Sequence, residues 1–491
     1  MKKTFKTIAL MMGVLFATTA FAQKSKSNVE EIMVDGFKVI YKPTVNQIVS
    51  ARFFIKGGTN NYTKAQEGIE NLAIALATDG GTTKFPKEEY HRQLERMGSE
   101  IDGGSSFDFA TISLSCIQKN FNNSWNLFED AIIAPAMTEE EFAKKKEEMI
   151  SNVQQAESDP DAYLGEMAMN DAFANLNYDK RTGGSEASLE KMTLADVKAH
   201  YKKVLNKSQC FIVVVGKVDK NDLIEKVRKM IKSLPEGNYV APKPTTLNIT
   251  QSTLNPEERK IATNYIRGIM NAPVYGTPES YAMQIAFAIL SDRMFDEIRT
   301  KRSLSYAPAA FYSTNLNPFT NIYVSTTDPK QAVQVMIDEL KKVKKEGFTE
   351  EEIRNQKTSY VTSYYMGMET NAAQTQSLGS QEVKGSWKNM VNFIDNINKT
   401  NPKLVNETFN KYVTAIRWSY LGAQSGPGSS KILSRIRSIP RSFFRNYNCS
   451  MCSICKRLPE TGAFFVGDLY GPLLLSMGSG RAVCRRWNLM A

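Results

Sequence analysis

The sequence predicts an α+β protein built from two homologous α/β-sandwich domains in tandem. Three observations predict it. Each half alternates helix-period stretches with short β-branched or alternating runs. Thr138-Glu-Glu-Glu-Phe142 recurs as Thr349-Glu-Glu-Glu-Ile353, and Val197 with Tyr201 recurs as Val405 with Phe409, at offsets of 211 and 208 residues. A stretch rich in Pro, Thr and Asn, from Pro235 to Pro256, lies between the copies and reads as a linker. A period this long does not suit a solenoid and fits a duplicated α+β domain.

The elements follow in order. Ala51 to Gly58 reads as a strand ending in a Gly57-Gly58 turn. Gly68 to Ala77 is an apolar helix, and Lys87 to Met97 an amphipathic one. Phe109 to Cys116 alternates, placing Ala110, Ile112, Leu114 and Cys116 on one face of a half-buried strand. Phe121 to Ile133 is helical. Thr138 opens a further helix with a capping box to Glu141, and Phe142, Met149, Ile150 and Val153 mark its buried face. Thr193 with Asp196 caps a helix ending near Leu205. Cys210 to Val215 is a short apolar run rich in β-branched residues, as suits a central strand. Asn221 to Leu234 closes the first domain. In the second, an apolar helical run from Met283 to Phe295 continues until it breaks at Ser303, then leads into an extended segment, Tyr306 to Tyr312. After Gly422 no counterpart of the closing helix is recognisable.

The two ends differ from the body. Lys2, Lys3 and Lys6, the apolar run Ile8 to Phe16 and Ala20-Phe21-Ala22 form an export signal, so an exported, periplasmic chain is expected. No run reaches bilayer-spanning length, so any membrane association is expected to be peripheral. The net charge is +11, but residues 423–491 carry +8 of it and the signal +3. The body is neutral, which argues against a nucleic-acid partner. The tail also holds Cys449, Cys452, Cys455 and Cys484, a poor match to structural zinc spacing. It reads as foreign to the fold, either an extension or a shifted reading frame. Cys116 and Cys210 are expected as buried free thiols. The expected boundaries are 1–22 signal peptide, 23–234 first domain, 235–258 linker, 259–422 second domain and 423–491 tail.

The chemistry-bearing stretch is Asp296 to Tyr306. Arg299 sits at a helix end and Tyr306 where the next strand begins. A forked guanidinium and a phenol so placed can converge on one carbonyl oxygen, as stabilisation of a developing oxyanion requires. Taken alone, the pair is better read as a surface arginine on a helix end and a half-buried tyrosine. Only His91 and His200 exist in the chain. Both are expected on polar helix faces, and neither has a second histidine one turn away. No Gly-x-Ser-x-Gly elbow, phosphate loop or dinucleotide fingerprint occurs, and Gly103-Gly104 reads as the start of a strand rather than an anion cradle.

The order and spacing of Gly57-Gly58-Thr59, Glu67-Gly68-Ile69, Gly80-Gly81-Thr82, Met97-Gly98-Ser99-Glu100-Ile101 and Asp159-Pro160-Asp161, together with Arg299 seven residues before Tyr306, resemble the insulinase/pitrilysin metallopeptidases. The resemblance covers Val29 to Gly422 and implies the two homologous domains of a half-clamp. Active members carry His-x-x-Glu-His on the first helix, where the histidines bind zinc and the glutamate is the general base. At those positions this chain has Asn71, Ile74 and Ala75, and Asn152 where the family has a glutamate ligand. No zinc site of its own is therefore expected. The family's glycine-rich turn before the arginine helix is also missing at Ala288 to Met294.

The resemblance implies a subunit without metal. A homologous, zinc-bearing partner would cut an unfolded peptide while Arg299 and Tyr306 hold a substrate carbonyl. The alternative is a peptide-binding or scaffold protein of the same descent with no part in catalysis.

Overall fold

Two sheets of matching strand order organise the chain. The computed structural model describes residues 28–423, 477–478 and 481–482. The first sheet contains β1 (Glu30–Val34), β2 (Phe37–Pro43), β3 (Ile48–Lys56), β4 (Glu100–Ser105), β5 (Phe109–Ile117) and β6 (Cys210–Gly216). The second contains β7 (Thr253–Glu258), β8 (Asn264–Met270), β9 (Ala309–Ser313), β10 (Phe319–Thr326) and β11 (Arg417–Gly422). Their orders are β1-β2-β6-β3-β5-β4 and β7-β11-β8-β10-β9.

With β1 set aside as an extra edge, the two orders superpose strand for strand. β2 and β6 pair parallel, as do β7 and β11. The remaining pairs, β6 with β3, β3 with β5, β5 with β4, and β11 with β8, β8 with β10, β10 with β9, are antiparallel. The duplication read from Thr138/Thr349 and Val197/Val405 is thus a duplication of topology. The helices Leu194–Val204 and Pro402–Tyr412 precede β6 and β11, and Val197, Tyr201, Val405 and Phe409 are all buried beneath them.

β6 is buried on both faces because each face has its own cover. Cys210, Ile212 and Val214 join the first half's core with Leu72, Trp125 and Val197. Phe211, Val213 and Val215 point the other way and pack with Leu378, Trp387 and Met390 of the second half. The cover on that side is the helix Asn371–Val383. The exchange is reciprocal. Helix Pro160–Ala172 of the first half lies on the second sheet, where Ala168 and Ala172 share a core with Ile269 and Phe319, and Leu164 packs with Tyr323 and Leu421. Each half lends one helix to the other's sheet, so one face of each sheet is covered from the other half.

Most of the expected helices are present: Ile69–Asp79, Lys87–Met97, Phe121–Ile133, Glu139–Ser158, Leu194–Val204 and Lys220–Ile231. Three expectations need correction. The stretch 235–258, expected to be linker throughout, ends in β7, which carries Pro256. Proline is tolerated there because β7 is the sheet's edge and needs no donor on its outer side. The capping box at Thr138 is only half formed: its hydroxyl accepts from the Glu141 N–H at 3.3 Å, but the Glu141 carboxylate accepts from Lys87 at 2.7 Å instead. Complete boxes form at Thr193/Asp196 and Thr349/Glu352. The extended segment expected from Tyr306 begins as a strand only at Ala309. Cys116 and Cys210 are buried free thiols.

The chain divides into two compact units, Met1–Pro440 and Arg441–Ala491. In the second, Met477–Gly478 pairs with Arg481–Ala482. The export segment, Cys449, Cys452, Cys455, Cys484 and the question of a closing helix after Gly422 lie outside the described residues. Among the described residues, no helix is long and apolar enough to cross a membrane.

Candidate functional site

Helix Pro278–Met294 fixes the arginine–tyrosine corner. Thr277 caps it by accepting from the Ser280 N–H, and Pro278 occupies its first turn, where a missing N–H costs nothing. Tyr281, Ala282, Met283, Ile285, Ala286, Phe287, Ile289 and Leu290 are buried around most of its circumference. Near its end Arg293 donates to Glu352, Nε to Oε1 at 2.7 Å and Nη2 to Oε2 at 2.8 Å. The same glutamate completes the capping box of Thr349. Burial alone would raise the Glu352 carboxyl, but hydrogen bonds from Arg293 and Thr349 outweigh it and lower the pKa to about 2.

Beyond Met294 the helix loosens into a π-helical turn, Phe295–Thr300, a departure that recurs at functional sites. Ser303, with φ 52°, then adopts the left-handed conformation that reverses the chain. That reversal returns Tyr306 to Arg299. Arg299 Nη1 donates to the Tyr306 carbonyl at 2.8 Å. Its guanidinium carbon stands 4.1 Å from the Tyr306 ring centroid and 4.9 Å from that of Phe295. Tyr306 is 78 % exposed, more than the half-buried ring that a purely structural role would give it.

The neighbouring cations are already matched: Lys301 pairs with Asp296 and Glu297, and Arg302 with Glu297. Among the described residues Arg299 pairs with no carboxylate. One donor holds the loop, and the rest of the fork and the exposed phenol share one corner of the surface.

The positions where the family's zinc ligands would stand do not fit a metal. On helix Ile69–Asp79, Asn71 is half-buried and its Oδ1 accepts weakly from the Ser105 N–H at 3.4 Å. Ile74 is fully buried, close enough to β4 that a Cβ on Gly103 would come within 2.6 Å of its Cγ2. Ala75 carries no donor atom. Asn152, on helix Glu139–Ser158, is exposed, and with Asn71 it lines a cavity of about 480 Å³. Two neutral amides, an alkyl chain and a methyl group supply neither the charge nor the donor set that zinc takes. Among the described residues, no group of three or more His, Cys, Asp or Glu is placed to hold a metal ion.

His200 was expected on a polar face and is instead buried, 3.2 Å from Glu70 Oε2. Asn61 Nδ2 also donates to that oxygen, at 2.7 Å. Burial pushes the Glu70 carboxyl above its ordinary range, opposed by His200 and Asn61. The signal was present: His200 shares a helix stripe with Val197, Tyr201 and Val204. His91 remains half-buried beside Asp79, at 3.0 Å.

Comparison with known proteins gives the family and the fold. The profile of the insulinase family, peptidase family M16, matches residues 38–186, and that of the peptidase M16 inactive domain matches residues 191–360. The chain belongs to the insulinase (M16) peptidase family. A Rickettsia felis protein called an uncharacterized zinc protease is 23 % identical over 340 residues, covering 67 % of this chain and 81 % of its own length. A Helicobacter pylori protein called the non-peptidase homolog YmxG is 22 % identical over 420 residues, covering 79 % and 94 %. Among solved structures, a peptidase M16 inactive domain from Pseudomonas fluorescens superposes with a TM-score of 0.74 at 18 % identity, covering 81 % of this chain and 98 % of that one.

Proposed function

We propose that this chain is the metal-free subunit of an exported, heteromeric M16 peptidase. A homologous partner would carry the zinc and the bond cleavage; this chain would grip an unfolded peptide and present Arg299 and Tyr306 to one of its carbonyl groups. The observation carrying this reading is the Arg299–Tyr306 corner, kept intact at an exposed surface in a chain whose ligand positions hold Asn71, Ile74, Ala75 and Asn152. A guanidinium with spare donors next to a solvent-facing phenol suits a carbonyl that gains charge. Partner and substrate are expected to meet along sheet edges, by strand addition.

The test is co-purification with a His-x-x-Glu-His chain from the same source, followed by peptide cleavage by the assembled pair with Arg299→Ala and Tyr306→Phe. Assembly with slowed cleavage supports the reading; cleavage at the unmutated rate by both variants removes it.

A second reading, a peptide-binding or scaffold protein with no part in catalysis, is favoured by the likeness to the H. pylori non-peptidase homolog. Peptide capture without any zinc-bearing partner would favour it.

A further inference from the structure

The cavity that contains Asn71 and Asn152 has a second wall from the other half of the chain. Arg267 of β8 and Phe319 of β10 face it, together with Phe107 and Arg181. At about 480 Å³ it has the size of a small-ligand pocket. Its cations are not equally matched. Arg181 is neutralised by Glu157 at 2.9 Å and Glu166 at 3.0 Å. Lys180 donates to the carbonyls of Thr59 and Tyr62 at 2.7 and 2.9 Å.

Arg267 has no such partner. Among the described residues its guanidinium donates no hydrogen bond and pairs with no carboxylate, and its Nε is buried without an acceptor. The Tyr323 ring lies 5.4 Å from its Cζ. Asp161, the nearby acid, already accepts from the Tyr323 hydroxyl at 2.8 Å. Gly165, on the lent helix Pro160–Ala172, leaves the guanidinium room: even a Cβ there would stand 3.7 Å from Nη1. The guanidinium is half-buried, Asp161 acts on it only through space, and its outer donors are left free of any acceptor among the described residues.

We propose that this pocket, at the place of the lost zinc ligands, binds a peptide carboxylate on Arg267. The free forked donors of Arg267 match the two oxygens of a carboxylate. Phe107 and Phe319 supply apolar walls for the adjoining side chain, and the amides of Asn71 and Asn152 are positioned on the pocket wall as polar contacts. The carboxylate comes either from a peptide's C-terminus or from an acidic side chain. The inference rests on the peptide-binding part of the proposed function and is independent of a zinc partner.

The test uses the full chain alone and fluorescence anisotropy with three labelled octapeptides: one ending in a free acid, the same peptide amidated, and the amidated peptide with one internal glutamate. Binding of an acid-bearing peptide should exceed that of the acid-free amide by about tenfold or more, the scale of one charged hydrogen bond. Arg267→Met should abolish that difference, and Arg267→Lys, which keeps the charge but not the fork, should retain part of it. Tighter binding of the free-acid peptide alone assigns a C-terminal ligand; comparable binding of the internal-glutamate peptide assigns a side chain. The melting temperature of Arg267→Met should stay close to that of the wild type, since the guanidinium makes no hydrogen bond or ion pair among the described residues. Equal binding of acid and amide overturns the carboxylate pocket while leaving peptide binding intact, and no binding of any peptide overturns both. If Arg267→Met fails to fold, the acid–amide comparison on wild type and Arg267→Lys decides.

Discussion

Gly379 of the lent helix meets Phe54 of β3 so closely that a Cβ would come within 2.0 Å of the ring. Phe54 is fully buried and stacked on Phe211 at 4.8 Å, so it has no room to move aside. This contact joins the two halves of the chain. Gly379→Ala should therefore destabilise by about 1–3 kcal/mol through overpacking. Leu378→Ala, beside it, should cost about 2–5 kcal/mol through the cavity it leaves. Urea denaturation measures both. Losses under half a kcal/mol would mean that the helix does not hold the first sheet.

At the arginine–tyrosine corner the expectation is reversed. Arg299 and Tyr306 lie at the surface, so Arg299→Ala and Tyr306→Phe should leave stability nearly unchanged, within about 0.5 kcal/mol. With a zinc-bearing partner present, each should lower kcat/KM for peptide by about 100-fold, the scale of one oxyanion donor. A variant that melts early and cleaves normally would make the corner structural.

Glu352 gives a pH dependence with a definite sign. Its pKa lies at about 2 in the folded chain against an ordinary 4.5. Its contribution is therefore full above 4.5 and disappears as pH falls toward 2. Compared by denaturation, wild type should exceed Glu352→Gln in stability at pH 6, and the gap should close between pH 4.5 and 2. A gap of constant size would show that the Arg293 contact does not depend on the carboxylate's charge.

Glu70 has the opposite sign. Its folded pKa is raised above 4.5, so the folded chain holds that proton to higher pH than the unfolded chain does. Wild type should lose stability relative to Glu70→Gln as pH rises above 4.5. His200→Ala, which strips the buried carboxyl of its partner, should cost about 3 kcal/mol near neutrality. An unchanged midpoint in His200→Ala would show that the buried pair contributes nothing.

Much of the fold was legible because periodicity records burial. Lys87–Met97 and Phe121–Ile133 were delimited by their apolar stripes, and the Thr-x-x-Glu signatures at Thr138 and Thr349 exposed the duplication. β7 was missed because Pro256 argues against a strand unless that strand is known to be an edge. Helix Asn371–Val383 gave no strong signal, since its face is made of small and polar residues around Leu378. His200 was misplaced because its residue type outweighed its position on the Val197–Val204 stripe.

The sequence alone determined the duplicated architecture, the absence of a His-x-x-Glu-His pattern from the helix at Gly68 to Ala77, and the seven-residue spacing of Arg299 and Tyr306. All of these are local patterns along the chain. Only the tertiary structure decided that each half lends a helix to the other's sheet, that Ser303 folds Tyr306 back onto Arg299, and that Arg267 lines one cavity with Asn71 and Asn152 while making no ion pair among the described residues. The reason is physical: a side chain's own pattern reports that it is covered or charged, but the groups that cover it or answer its charge come from segments a hundred or more residues away.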